Sequence, residues 1–382
     1  MELAANKVFR NVSAVPANYA QGNYNIYGEV RVEKTPGSGI FDITLSCKLT
    51  PDHLDEATFE LQDGVSDYFP LPDFNPYSLP GIQKITDNQV RAQFWTAESY
   101  GDPEVLQSLV LSDTFSVLNG GIPKQYNVDF FEDFLPTFKA FLNWHPGEKR
   151  VDLNQPELLH FYAYHASITS LNLLGKVYYS DNTSQTTPLL SLTGITAGSI
   201  YRMPAGFTQL ELNTIDGAKT AIRYELWLED QATNIVSEVR NYILEQISRP
   251  YTRYWMFINS LGMWEIMRAE GKNILGISLD RERSTGYLQQ GYDRTKGEIR
   301  NRVLGSTDTL DVSTGFFTSR EEAVWAKEIL LSPKVFLLTD TQRIPYNILT
   351  NEYQPYQDAD YNWFLRFEAE LAYNNIKHGN IQ

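Results

Sequence analysis

The stretch HFYAYH (160–165) sets two histidines five positions apart, and histidine is a common zinc ligand. On a strand, His160 and His165 point to opposite faces, and on a helix they lie about 140° apart. Neither spacing brings two rings to one metal. His145 precedes Pro146 in a turn, and the five histidines show no zinc spacing, so each reads as a structural or exposed side chain. The single cysteine, Cys47, excludes an intramolecular disulfide and a cysteine-based zinc site.

Carboxylate pairs are the next candidates: Glu229 with Asp230, Asp308 with Asp311, and Glu321 with Glu322. A glycosidase needs two carboxyls ~5–10 Å apart across a cleft. Acids at turns and helix starts have local roles instead, Glu321 and Glu322 favouring a helix dipole. The chain has no GxSxG elbow, P-loop, HExxH or dinucleotide glycine pattern. SDNTSQ (180–185) and LEDQATN (228–234) offer oxygen ligands without calcium-loop spacing. Aromatic strand faces can stack on sugars, with Trp144, Tyr162 and Trp264 as glycan-stacking candidates, although core is the default for each. The expectation is no catalytic residue, no metal and no cofactor. A polysaccharide-degrading hydrolase remains the last alternative.

The elements that would carry these side chains read as β-rich. In IFDITLSCKL (40–49), Phe41, Ile43, Leu45, Cys47 and Leu49 share one face and polar residues the other, the period-two signal of a half-buried strand. Such runs continue to about residue 136, interrupted by the proline-rich YFPLPDFNPYSLPG (68–81), read as an extended crossing loop. YNVDFFEDFLPTFKAFL (126–142) reads as a short helical or irregular link. From TFKAFLNWHP (137–146) onward, strands recur every 8–12 residues to about 248, including QLELNTIDGAK (209–219), as in an Ig- or fibronectin-III-like sandwich. SREEAVWAKEILL (319–331) is a helix with a Ser319/Glu322 capping box, stopped by Ser332-Pro333. The final YNWFLRFEAELAY alternates as a strand. The organisation expected is an N-terminal β domain (1–136), a β-sandwich (137–248) and a C-terminal β-rich domain (249–382).

The net charge of −15 speaks against a nucleic-acid binder, since phosphate contacts need a basic surface. Residues 249–302 run the other way, with ten Lys/Arg against six acids. The plain reading of that segment is a solvated, salt-bridged loop region. The sharper one is a basic patch meeting an acidic patch on another subunit, with Arg268, Arg281, Arg283, Arg294, Arg300 and Arg302 as interface candidates. No signal-peptide-length apolar run opens the chain, and no stretch of ~18 apolar residues predicts a membrane span.

YWMFINSLGMWEIMRAEGK (254–272) is the most apolar and aromatic stretch. Its pattern fits two strands about a turn at Gly262, or a helix capped by Asn259 or Ser260. The aromatic strand into NSLG, then Trp264 and Glu265, resembles a segment of tail or baseplate proteins of bacteriophages and prophages of Bacteroidetes hosts. VLNGGIP (117–123), FLNWHP…QPELLHFYAYH (141–165), VSEVRNYIL (236–244), EEAVWAKEILLSPKVFL (321–337), IPYNIL and FLRFEAELAYNN agree in order. The resemblance implies hairpins here, although Met263 stands where a second glycine is expected. It also implies a non-enzymatic virion component, made in the host cytoplasm and built of stacked β domains. Such a protein assembles in the tail as a ring or other homo-oligomer and with other tail proteins. A host-glycan receptor-binding module is the alternative.

Overall fold

Alternating runs do become sheets: the protein is mainly β, about half of it strand and a tenth helical, in several antiparallel sheets. The computed structural model describes residues 2–3, 8–35, 37–65, 68–69, 74–86, 88–121, 130–245, 249–288, 290–291, 293, 295, 297–339, 342–355 and 363–373. Two units form, one of Met1–Leu244 with Asn259–Trp264, the other of Glu245–Ile258 with Glu265–Gln382.

The first unit opens with a sheet whose order is Glu2–Leu3, Val110–Leu118, Gln89–Tyr100, Asn25–Val32 and Asp42–Leu49, with Val105–Leu106 paired beside Gln89–Tyr100. Ile26, Val30, Phe59, Phe94 and Val117 fill its core. In Asp42–Leu49 the expected apolar face is only partly kept. Leu45, Cys47 and Leu49 pack on the core, whereas Ile43 is exposed. The register shifts so that Val30 faces Leu45 and Arg31 faces Ile43, leaving Thr44 as the extra residue of a bulge that turns Ile43 outward.

A β-sandwich follows. Its larger sheet runs Glu148–Asp152, Arg240–Glu245, Ala221–Glu229, Ser170–Tyr179, Ser184–Thr193; the smaller runs Leu158–Tyr162, Ile200–Pro204, Gln83–Ile85. Leu159, Phe161 and Met203 from one sheet meet Leu173, Tyr224 and Leu226 from the other in a single core. Tyr224 buries its ring there and donates its hydroxyl to Ala205 O at 2.9 Å. The edge strand Gln83–Ile85 comes from far upstream, which no local pattern announces.

Two expected strands are absent. Phe130–Phe134 makes a wide helical turn and Leu135–Phe138 one α-helical turn with Pro136 in its first turn, in keeping with the helical link expected over 126–142, and no strand forms over 139–146. Lys139 then takes a left-handed conformation (φ 52°), ending the helix. QLELNTIDGAK folds as turns with a 3-10 turn at Leu212–Thr214.

In the second unit, seven strands lie in the order Trp264–Ala269, Arg253–Ile258, Val335–Leu338, Arg343–Ile348, Trp363–Leu371, Ile299–Phe317, Ile274–Thr285. The 254–272 stretch is therefore a hairpin, not a helix, and Gly262 in its turn has φ 78°. The predicted helix forms as two short pieces, Arg320–Trp325 and Lys327–Leu331, and Ser319 Oγ accepts from Glu322 N at 3.1 Å. Trp363–Leu371 alternates as expected, with Leu365, Phe367 and Ala369 buried.

Candidate interaction surface

The longest pairing in the second unit lies where a solvated loop region is the plain expectation: Ile274–Thr285 and Ile299–Phe317 form a two-stranded ribbon. Ile274–Thr285 and Ile299–Phe317 pair from Ile274↔Asp311 to Thr285↔Ile299. Trp363–Leu371 pairs with the second strand only over Thr309–Phe317. Among the described residues, 299–308 therefore have a single neighbouring strand, and Ile274–Thr285 is a sheet edge. At about 3.3 Å per residue, the part beyond the sheet is about 30 Å long.

Directly opposed residues share a face, so the register sorts the side chains. Leu275 lies opposite Leu310, Ile277 opposite Asp308, Leu279 opposite Ser306, Arg281 opposite Val303 and Arg283 opposite Asn301. Leu310 in turn faces Ala369, and Val312 faces Phe367. Leu310, Val312, Phe367 and Ala369 are buried. The core face of the sheet thus runs on into the ribbon as Leu275, Ile277, Leu279, Arg281 and Arg283, all exposed. On the opposite face are Ser278, Asp280 and Glu282. An open groove of about 650 Å³ lies at the ribbon's base, lined by Ser278, Asp280, Thr307, Asn347, Glu370 and Tyr373.

The six candidate arginines separate. Arg281, Arg283 and Arg302 are exposed on the ribbon. Arg300 lies in the same strand, opposite Ser284. Arg294 lies outside the described residues. Arg268 does not belong to the group: its side chain is largely buried and pairs with Glu245 at 2.7 Å and Glu270 at 2.8 Å, and Arg249 also reaches Glu270. It sits on a core strand, where an unpaired guanidinium would be costly.

The glycan-stacking candidates face inward. Trp264 is fully buried with its ring edge-on to Phe74, at 6.3 Å between centroids. Tyr162 is buried against Phe131, and Trp144 is half-buried beside the same core. Stacking a sugar needs a free ring face, which the two buried rings do not offer. Among the described residues, aromatic side chains that do stand in solvent include Tyr287, near the ribbon's end, as well as Phe138, Phe316 and Tyr373.

The residues first considered for chemistry have local partners. Asp230 accepts from the Asn234 side chain at 3.1 Å, from Asn234 N at 2.9 Å and from Ala232 N at 2.8 Å, which together hold its carboxyl below the usual range. Glu229 accepts from Trp227 Nε1 at 3.0 Å, and Asp311 pairs with Arg366. His160 is wholly buried, and among the described residues its ring nitrogens meet no hydrogen-bonding partner. Burial, then the charge of Arg202, pushes its pKa well down. His145 Nδ1 donates to Pro146 O at 2.6 Å; burial, followed by Lys149 and Arg240, lowers its pKa well below the ordinary value. Among the described residues, no group of three or more His, Cys, Asp or Glu is placed to hold a metal ion, and no helix is long and apolar enough to cross a membrane. Glu265 is buried and accepts from Trp325 Nε1.

The alternation of Leu275, Ile277 and Leu279 with Gly276, Ser278 and Asp280 is the signal that marks the ribbon in the sequence. Within the first unit, two segments that carry the tail-protein resemblance meet. Gly121 N donates to Ser260 O at 2.6 Å, and Asn88 Nδ2 donates to Gly262 O, joining the end of VLNGGIP's strand region to NSLG. Met263 N donates to Asn259 Oδ1 at 2.9 Å and its side chain is buried, so a side chain is accommodated where a second glycine was expected. No protein family and no curated protein matches the chain.

Proposed function

We propose that this chain is a non-enzymatic structural component of a phage tail tip or baseplate, made in the host cytoplasm and incorporated in the virion. It assembles through protein–protein contacts with copies of itself and with other tail proteins. The observation that carries this reading is the ribbon. A sheet core face continues past its own cover as exposed Leu275, Ile277 and Leu279 beside Arg281 and Arg283. An apolar face rimmed by charge is the composition of a protein-binding surface. The resemblance of the motif order to that of tail proteins supports the same reading.

The test is association with tail material. The purified chain is mixed with, or co-expressed beside, the other tail proteins of the same phage or prophage, and co-sedimentation is followed. Incorporation that is lost on Leu275→Ser/Ile277→Ser supports the proposal. A wild-type chain that joins no tail assembly contradicts it.

A further inference from the structure

We infer that the ribbon's occupant is a second copy of this chain, whose first sheet receives it at the segment 98–113. The inference rests on the assembly reading above and names its partner and surface.

A two-stranded ribbon is marginal by itself, and this one bares three large apolar side chains on the face that is core elsewhere in its sheet. Ribbon-on-ribbon pairing about a two-fold axis is disfavoured. Two copies of one edge strand related by such an axis oppose residues of the same face. Arg281 and Arg283 would then meet each other, apolar residues or Thr285, and Asp280 and Glu282 would meet acids or uncharged residues, so that no register sets an arginine opposite an acid. Like charges directly opposite destabilise a pair. The edge is therefore built for a different surface, a head-to-tail contact.

The segment 98–113 has the matching chemistry. It carries Glu98, Asp102, Glu104 and Asp113 and no Lys or Arg, whereas the ribbon face that bears Leu275, Ile277 and Leu279 continues into Arg281 and Arg283, with Val303 and Asn301 opposite them. Lys48 reaches Glu104 and Arg10 reaches Asp113, which leaves acids in excess. Val105, Leu106, Val110 and Leu111 are all exposed there. Beside them lies an open groove of about 280 Å³, with Val12, Val15, Ile26 and Val110 among its lining. Apolar residues meet apolar residues and arginines meet carboxylates when ribbon and segment are brought together, and complementary charge fixes their register. Because donor and acceptor surfaces differ, each copy can offer one and receive one, which gives a ring or an open stack.

Cysteine cross-linking of the full-length chain tests this. In a Cys47→Ala background, Ile277→Cys and Val110→Cys are made singly, mixed and oxidised. The inference expects the mixed disulfide to dominate, and a protein carrying both cysteines to give a ladder. Association measured by sedimentation should weaken at high salt and fall at least tenfold in Arg281→Glu/Arg283→Glu, about 1.4 kcal/mol. Mixing that variant with Asp102→Arg/Glu104→Arg should restore part of it. Circular dichroism confirms that each variant is folded. Ile277→Cys joining chiefly to itself, or a chain that stays monomeric at all concentrations, overturns the inference. A monomeric chain that still enters tail assemblies leaves the proposed function standing while this contact falls. A cross-linked ladder from a chain that joins no tail assembly supports this contact while the tail role falls.

Discussion

Leu275 and Leu310 are directly opposed in register on one face of one sheet, yet Leu310 is 7% exposed and Leu275 69%. The same strand pairing that places Leu310 in a core carries Leu275 past the end of that core. Burial is worth about 25 cal/mol per Å² of apolar surface, so the bare continuation is a sizeable reserve of binding free energy.

Replacing Leu275 and Ile277 by serine should therefore separate stability from association. Neither side chain is buried, so chemical denaturation should shift by no more than about 0.5 kcal/mol, as surface substitutions do. Association measured by sedimentation should fall at least tenfold. A large loss of stability would show that the ribbon face is covered within the chain.

Of the described glycines in the first unit, Gly262 leaves the least room for a side chain. It has φ 78°, and a Cβ there would collide with Asn119 O. Gly120 is the counterpart, where a Cβ would lie 2.5 Å from the Leu261 backbone. Gly262→Ala should cost about 3 kcal/mol or more, since strain and backbone displacement both apply. The denaturation midpoint reads this, and a shift below about 1 kcal/mol would show that the turn relaxes freely.

Trp325→Phe removes the indole N–H that Glu265 accepts in the interior. Leaving a buried carboxylate one donor short should cost about 1.5–3 kcal/mol. Glu265→Gln, which keeps an acceptor for Trp325, should cost less. The reverse order in thermal melts would mean that the pair contributes through shape alone.

His145 and His160 set a pH dependence. Both are buried with pKa values pushed well below the ordinary one. Above about pH 6.5 the folded and unfolded chains both hold these rings neutral; below it only the unfolded chain takes up protons. Stability should be level above that point and fall as pH drops through it, by up to about 1.4 kcal/mol per pH unit for each ring. His160→Gln should flatten the slope between pH 6.5 and 5. An unchanged slope in that variant would remove His160 from the effect.

How much of this is legible in the sequence follows from what covers each element. Trp363–Leu371 has one buried and one exposed face, so its alternation is plain. The Ser319 cap is local chemistry and reads directly. Arg253–Ile258 and Trp264–Ala269 are buried or half-buried throughout, and that erases the period-two signal and leaves strand and helix equally open. In the ribbon the alternation survives, but its apolar residues are exposed and mixed with arginines, so charge dominates the reading. The inward-facing Trp264 and the internally paired Arg268 depend on contacts with Phe74, Glu245 and Glu270 that no spacing in the chain encodes.

The most direct measurement is an image reconstruction of tail particles that contain this chain. Repeated copies in contact, each with its ribbon lying along a neighbour, is the result predicted here. Particles in which the ribbon stands free in solvent, or in which no two copies touch, would contradict it.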